Sequence, residues 1–430
     1  MKISKLIEES YLLNRVFVSD DLVKALDNLS AHTDVEFKDY KFKTGTDVNG
    51  FVIPSKWSVD DAKILKDGKV VYDGMQHVLC VIANSASFEG KVSKEELVKH
   101  LHTAPKQPKA IPFHFRQMYR PWQEDWGFCM PQELFDSLED GEYEVVLKTK
   151  SEPGEMVMRE FTLPGKSKET VLFVAHIDHP GLSNDDLSGC SVGIALLEEL
   201  KKLKDRKYTY KLLLTQEIIG SVFYLNAIKQ AKKDLKYSLF IEMFGNSTDL
   251  ALQKSFSGET EIDKACELVL QGIVKEPVIK PFREHVGNDE IAFEAPGFEI
   301  PMPSISRWPY PEYHTNLENM DLIDEDKLQE ALKYLLDVVN VLEKNAIVKR
   351  KFEGLVGLAN PKYDLYMGPG QILSTSEKGD KLKCLFQYKM PRYLEGDKTV
   401  LDIALEFGLD FNWTHDYFCK MAEKDLVELL

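Results

Sequence analysis

Five short segments of this chain carry side chains able to hold a metal ion. In chain order they are HIDHP (176–180), SNDDLSG (183–189), TQEIIGS (215–221), IEMFG (241–245) and PEYHTN (311–316). Their donors are histidines and carboxylates with no cysteine among them. Such a set suits Zn²⁺ with positions left open for water and substrate. A lone His or Glu is more often solvated or hydrogen-bonded than ligating, so the weight lies in the joint pattern.

These residues need a scaffold that brings them together, and the surrounding sequence describes one. Continuous apolar runs at 171–175, 212–215 and 238–241 alternate with helical patterns at about 191–203 and 221–233. Uninterrupted apolar strands alternating with helices predict an α/β fold, a mostly parallel sheet sandwiched by helices. Ligands in such sheets gather at the carboxyl ends of the strands. The three strands end at His176, Glu217 and Glu242, and the loop holding Asp185 and Asp186 lies between the first two. A later loop adds Tyr313 and His314. The helix at about 326–344 closes this region with Leu328, Leu332, Leu335, Leu336, Val339 and Leu342 on its periodic face.

The flanks differ in texture. Residues 1–35 are helical in periodicity, with Ile3, Leu6, Ile7 and Leu12 and then Leu22, Val23, Leu26 and Leu29. Residues 36–140 alternate short β-rich runs (Lys69–Tyr72, His77–Ile82) with turns and one helix at 93–102, and end in the aromatic stretch FHFRQMYRPWQEDWGF. The expected organisation is a catalytic domain of residues 1–35 plus 141–348, a mainly β insertion domain of 36–140, and a small C-terminal domain of 349–430. In that last domain Lys383–Tyr388 reads as a strand, and 399–407 and 412–429 as helices.

Composition excludes several classes. At 430 residues, with 43% apolar and 29% charged residues, the chain has ordinary globular usage and is neither disordered nor fibrous. The formal net charge of −16 repels phosphate backbones and anionic membranes, which disfavours nucleic acid as a general partner. No run is long and apolar enough for a membrane span, and Glu8 and Glu9 interrupt any signal-peptide core. The six cysteines contain no C-x-x-C pair and read as reduced, mostly buried thiols of a cytoplasmic protein.

Taken in order, His-x-Asp, Asn-Asp-x-x-Ser-Gly, Glu before Gly-Ser, an acid after a strand, and Tyr-His-Thr resemble the co-catalytic zinc aminopeptidases, the aminopeptidase Y and aminopeptidase S family. The likeness covers residues 171–320. The insertion and the C-terminal domain further resemble a bacterial aminopeptidase-like subgroup with a winged-helix tail. The resemblance implies a zinc exopeptidase-like fold and a metallo-aminopeptidase that hydrolyses an N-terminal residue or a small amide through metal-activated water. It implies that His176 and Glu242 hold one zinc, that Glu217 and His314 hold the other, and that Asp185 bridges them. It also implies a cis peptide between Asp185 and Asp186, and a tyrosine, Tyr313, that steadies the oxyanion or else packs as a loop aromatic.

Around these, Asp178 either orients the His176 imidazole or forms a turn, and His179 is either a pocket wall or a surface loop residue. His285 and Asp289, in REHVGNDE, are candidates to line the substrate pocket. The aromatic stretch roofs the site, with Arg116 or Arg120 meeting a substrate carboxylate, or is simply the core of the insertion.

Two departures from the family matter. Gln216-Glu217 stands where Glu-Glu is usual, and glutamine cannot accept a proton. Glu217 is therefore the essential acid of this strand, as base or as ligand. Glu242 stands where most relatives have Asp. The alternatives are a binding or regulatory protein on a peptidase scaffold whose chemistry is lost through Gln216, and a carboxypeptidase or amide hydrolase on the same fold. The C-terminal residues 351–430 hold 10 basic and 13 acidic side chains. That favours a packing or oligomerisation module over DNA binding, with homo-oligomerisation left open.

Overall fold

A computed structural model describes residues 2–367 and 378–430. The chain divides into two units, Met1–Gly258 with Pro277–Lys333, and Glu259–Glu276 with Tyr334–Leu430.

The first unit is built on an eight-stranded sheet. Across it run Phe37–Lys43, Glu155–Leu163, Thr209–Thr215, Thr170–His176, Leu235–Ile241, Ser304–Ser306, Ala251–Gln253 and Val278–Lys280. The four central strands from Thr209–Thr215 to Ser304–Ser306 are mutually parallel, and antiparallel strands flank them. Thr170–His176 is buried at every residue, as a strand covered on both faces must be. The helix Leu187–Leu200 follows it, and its buried residues occupy all sides of its first two turns. Gly189 in that helix lies so close to the Ile241 carbonyl and the Asp186 carboxylate that an added Cβ would collide with both. The α/β fold with a large, mainly parallel central sheet is thus as the sequence implies.

A second, four-stranded antiparallel sheet orders Lys69–Asp73, Lys56–Lys66, Glu142–Glu152 and Phe88–Ser93. Two strands lie on the opposite side of the expected boundaries. Phe37–Lys43 pairs with Glu155–Leu163 at the edge of the large sheet, and Glu142–Glu152 is the longest partner of Lys56–Lys66. The changeover falls at Pro153-Gly154, the break between two long strands. Alternating polar strands such as FKDYKFK fit the edge of either sheet, so patterning alone does not assign them. His77–Ile82 holds the 3₁₀ turn Val78–Cys80, and the helix expected at 93–102 shortens to Lys94–Leu97 followed by a 3₁₀ turn.

In the second unit Ile347–Arg350 pairs antiparallel with Glu395–Thr399 on one side and Val427–Leu429 on the other. Lys383–Tyr388 is helical, within Lys378–Lys389, and not a strand. Cys384, Phe386, Gln387 and Met390 are buried at helical spacing, and Phe386 meets Phe407, Trp413, Tyr417 and Phe418 edge-on. A six-residue apolar run does not distinguish the two structures by itself. Phe411–Glu423 is helical, and the segment then breaks into the terminal strand. No disulfide joins the six cysteines, and no helix among the described residues is long and apolar enough to cross a membrane.

Candidate metal centre

The parallel strands converge on one buried pit. His176 ends Thr170–His176, and its Nε2 lies 3.0 Å from Asp185 Oδ1. His314 Nε2 approaches the other oxygen, Asp185 Oδ2, also at 3.0 Å. Asp185 therefore stands between two imidazoles, and that of His314 comes from 129 positions further along the chain. His179 joins them with its Nε2 at 3.8 Å from Asp185 Oδ2 and 3.9 Å from Glu217 Oε2. The donor atoms of His176, His179 and Asp185 all lie within 4.8 Å of one another, as do those of Asp178, His179 and Glu217.

Several devices hold the loops in place. Asp178 sits behind both histidines, 3.6 Å from His176 Nδ1 and 3.2 Å from His179 Nδ1, and also accepts the Glu217 backbone N–H at 2.8 Å. Arg15 is fully buried, and its five N–H groups donate to the carbonyls of Ile177, Ser10, Tyr11, His179 and Leu182. Glu318 Oε1 accepts the backbone N–H groups of Asn184 and Asp185. The Asp185–Asp186 peptide is cis, as the resemblance implies. Asp186 caps Leu187–Leu200 through Gly189 N–H and also accepts Met243 N–H, so its work is to tie the bridging loop to the next strand end.

Glu217 faces the pit, and its neighbour does not. Gln216 is buried with its amide donating to the carbonyls of Phe17 and Val157. A glutamate there could not donate and would set its charge against two carbonyl dipoles, which accounts for glutamine at this position. Behind Glu217, Asp289 Oδ1 accepts Ile218 N–H at 3.0 Å. Glu242 ends its strand as expected, yet it is absent from the converging donor groups. Its two oxygens accept from the Asn288 amide and, at 3.1 Å, from the Ser304 hydroxyl. His285 binds Gln253 Oε1 through its backbone N–H, and no contact joins its ring to the pit among the described residues.

The aromatic stretch does roof the site, though not through arginine. Arg116 and Arg120 are exposed. Tyr119 instead donates to Glu217 Oε2 at 2.7 Å, and Phe113 packs 5.0 Å from the His179 ring and 5.4 Å from His314. Tyr313 stacks on His314 at 3.8 Å. Tyr119, Arg15 and Glu318 were not legible as site residues. Their chemistry was visible, but nothing in their spacing connects them to the pit.

Electrostatics bind the cluster together. Burial alone would push Asp185 up, but His179 and His176 outweigh it and hold the carboxyl well below its usual range. The two histidines shift up in return, because Asp185 and Asp178 outweigh their burial. Burial, then neighbouring Asp186 and Asp185, pushes Glu242 well up. Burial pushes Asp289 up to about 7. Asp178, Asp185, Asp186, Glu242, Asp289 and Glu318 are all buried in this one region. Protonation relieves the acids that burial pushes up, and a bound cation would offset the charge of those that stay ionised, Asp185 and Asp178 first. The donor set, its spacing and this excess of acids fit a divalent ion.

The fold is similar to that of solved zinc aminopeptidases. The chain belongs to the family described as a domain of unknown function (DUF4910), which it matches over residues 4–345. It is 29% identical over 418 residues to a Clostridium acetobutylicum protein named for polysaccharide biosynthesis and an aminopeptidase-like domain, across 95% of this chain and 92% of that one. A crystal structure of a candidate peptidase from Clostridium acetobutylicum superposes with TM-score 0.84 at 27% identity, covering 100% of this chain and 96% of that one. A zinc aminopeptidase from Bacillus subtilis shares the fold, with TM-score 0.58 at 13% identity over 79% of this chain and 94% of the other.

Proposed function

We propose that the chain is a zinc-dependent exopeptidase, an aminopeptidase acting on the N-terminal residue of a peptide or on a small amide. The observation that carries this reading is the convergence of His176, His179, His314, Asp185 and Glu217 on one pit at the strand ends. His176, Asp185 and His314 would hold the metal. When bound, zinc supplies a Lewis acid for the scissile carbonyl and makes water a nucleophile near neutral pH.

The residues of the chain do the rest. Glu217 and His314 are the solvent-reachable members, with side-chain exposures of 16% and 18%, against 4% or less for His176, Asp178, His179 and Asp185. Substrate therefore approaches over Glu217 and His314. Tyr119 fixes Glu217 Oε2, which leaves Oε1 to accept a proton and return it to the leaving amine. Tyr313, stacked on His314, is the residue that the resemblance offers to meet the carbonyl oxygen as it gains charge.

The charge of the site favours a free α-amine over a free carboxylate. The excess of buried acids attracts an ammonium group. Arg15, behind the histidine loop, gives every donor to backbone carbonyls and has none left for a substrate carboxylate. Gln216 does not weaken the enzyme on this reading, because its side chain is a structural amide. The C-terminal unit, with its three-stranded sheet and two terminal helices, is read as a winged-helix-like packing or oligomerisation module of a cytoplasmic enzyme.

Turnover of aminoacyl-p-nitroanilides and short peptides by zinc-loaded protein tests the proposal. The expected result is hydrolysis from free N-termini, none from N-acetylated substrates, and loss of activity in Glu217→Ala. Stoichiometric zinc with no hydrolysis across the panel would instead identify a binding protein on this scaffold.

A further inference from the structure

Resting on the reading of the pit as a metal centre, we infer that His179 is a direct metal ligand and that Glu242 is not. His176 and His314 each lie 3.0 Å from an Asp185 oxygen, which is hydrogen-bond distance. His179 does not follow them. Its Nε2 has carboxylate oxygens at 3.8 and 3.9 Å, on Asp185 and Glu217, beyond hydrogen-bond reach. Two donors bound to one zinc at roughly 2.0–2.2 Å are separated by about 3–4 Å, so these spacings suit atoms that share an ion.

The ring is also prepared for ligation. Asp178 Oδ2 lies 3.2 Å from Nδ1, so Nδ1 faces this carboxylate and Nε2 is the ring atom turned toward the other donors. This carboxylate–imidazole relay is the usual support of a metal-bound histidine. The other oxygen of Asp178 lies 3.6 Å from His176 Nδ1, an ionic contact and not a hydrogen bond. His179 takes a backbone φ of 93°, a conformation that a bulky residue seldom adopts without compensating contacts. Arg15 holds its carbonyl at 2.5 Å and Phe113 packs against the ring, and both contacts keep the imidazole aimed inward. His179 belongs to both groups of converging donors. Glu242 has each oxygen engaged by a neutral donor, Asn288 or Ser304.

The test compares full-length wild type with His179→Ala, His179→Gln and Glu242→Gln. Zinc affinity is read by competition with a chromophoric chelator, and ligand geometry by the visible absorption of cobalt-loaded protein. Circular dichroism confirms folding, and the glutamine variant keeps bulk in the pit should the alanine variant misfold. The expected outcome is a loss of zinc affinity of 100-fold or more in both His179 variants, with a changed cobalt spectrum. Glu242→Gln should stay within about 10-fold of wild type with its spectrum unchanged. Retention of zinc without His179, or loss in Glu242→Gln equal to or greater than that in the His179 variants, overturns the inference. Wild type that binds neither zinc nor cobalt would instead refute the metal-centre reading beneath it.

Discussion

The Tyr119 hydroxyl donates to Glu217 Oε2 at 2.7 Å and to the Glu217 carbonyl at 3.2 Å, joining two residues 98 positions apart. Burial, reinforced by the Glu217 charge, pushes the phenol well above its ordinary range, so it stays a donor at all working pH values. A hydrogen bond to a charged group contributes about 1.5–3 kcal/mol. Tyr119→Phe should therefore lower kcat about 10- to 150-fold with little change in KM and undiminished zinc content. Unchanged kcat would show that the contact does not position Glu217 for chemistry.

Introducing the Glu-Glu pair of the zinc aminopeptidases that the sequence resembles should harm the protein. In Gln216→Glu the new carboxylate meets the Phe17 and Val157 carbonyls in a buried place and loses both donors. An unpaired buried acid of this kind costs about 2–4 kcal/mol, read as a lower urea midpoint. Activity per folded molecule should not rise. A gain in kcat would reinstate position 216 as the seat of the general base.

Arg15 is the clamp beneath the histidine loop. Burial lowers its guanidinium to about 10, so it remains charged at neutral pH while its five donors meet five carbonyls. Lysine brings three donors on a differently shaped head, so Arg15→Lys leaves at least two carbonyls unmet. At about 1–3 kcal/mol each, the predicted loss is about 2–6 kcal/mol by chemical denaturation, accompanied by weaker zinc binding. A loss under about 1 kcal/mol would mean that water replaces the clamp.

The insertion should be acid-sensitive through His114. Its ring stacks on His102 at 3.8 Å, and burial, followed by His102 and Arg116, depresses it to about 4. The unfolded chain, with an ordinary histidine near 6.5, binds the proton first as pH falls. Stability is then constant above about 6.5, declines between about 6.5 and 4, and levels off below that from this group. For a partly exposed ring the loss is on the order of 1 kcal/mol. Thermal melts of wild type and His114→Asn across this window should converge toward acid. Parallel curves would remove His114 as the cause.

The sequence showed the centre of the molecule more clearly than its surroundings. Apolar strands ending at His176, Glu217 and Glu242 announce a parallel sheet and its functional edge, because one short period governs both burial and strand direction. The Asp185 and His314 loops are legible for the same reason, being fixed to those strand ends. Phe37–Lys43 and Glu142–Glu152 are misassigned because half-exposed strands carry no mark of their partner. The pairing of His179 with Asp178, the engagement of Glu242 by Asn288, and the reach of Tyr119 from the insertion depend on loop geometry. No spacing rule encodes that geometry.

Anomalous diffraction at the zinc edge, from crystals of wild-type protein grown with zinc, tests the account most directly. The prediction is a peak in the pit within bonding distance of Asp185 and of imidazole Nε2 atoms from His176, His179 or His314, with any second peak beside Glu217. A crystal whose zinc lies elsewhere, or whose pit stays empty at saturating zinc with those side chains in place, would contradict it.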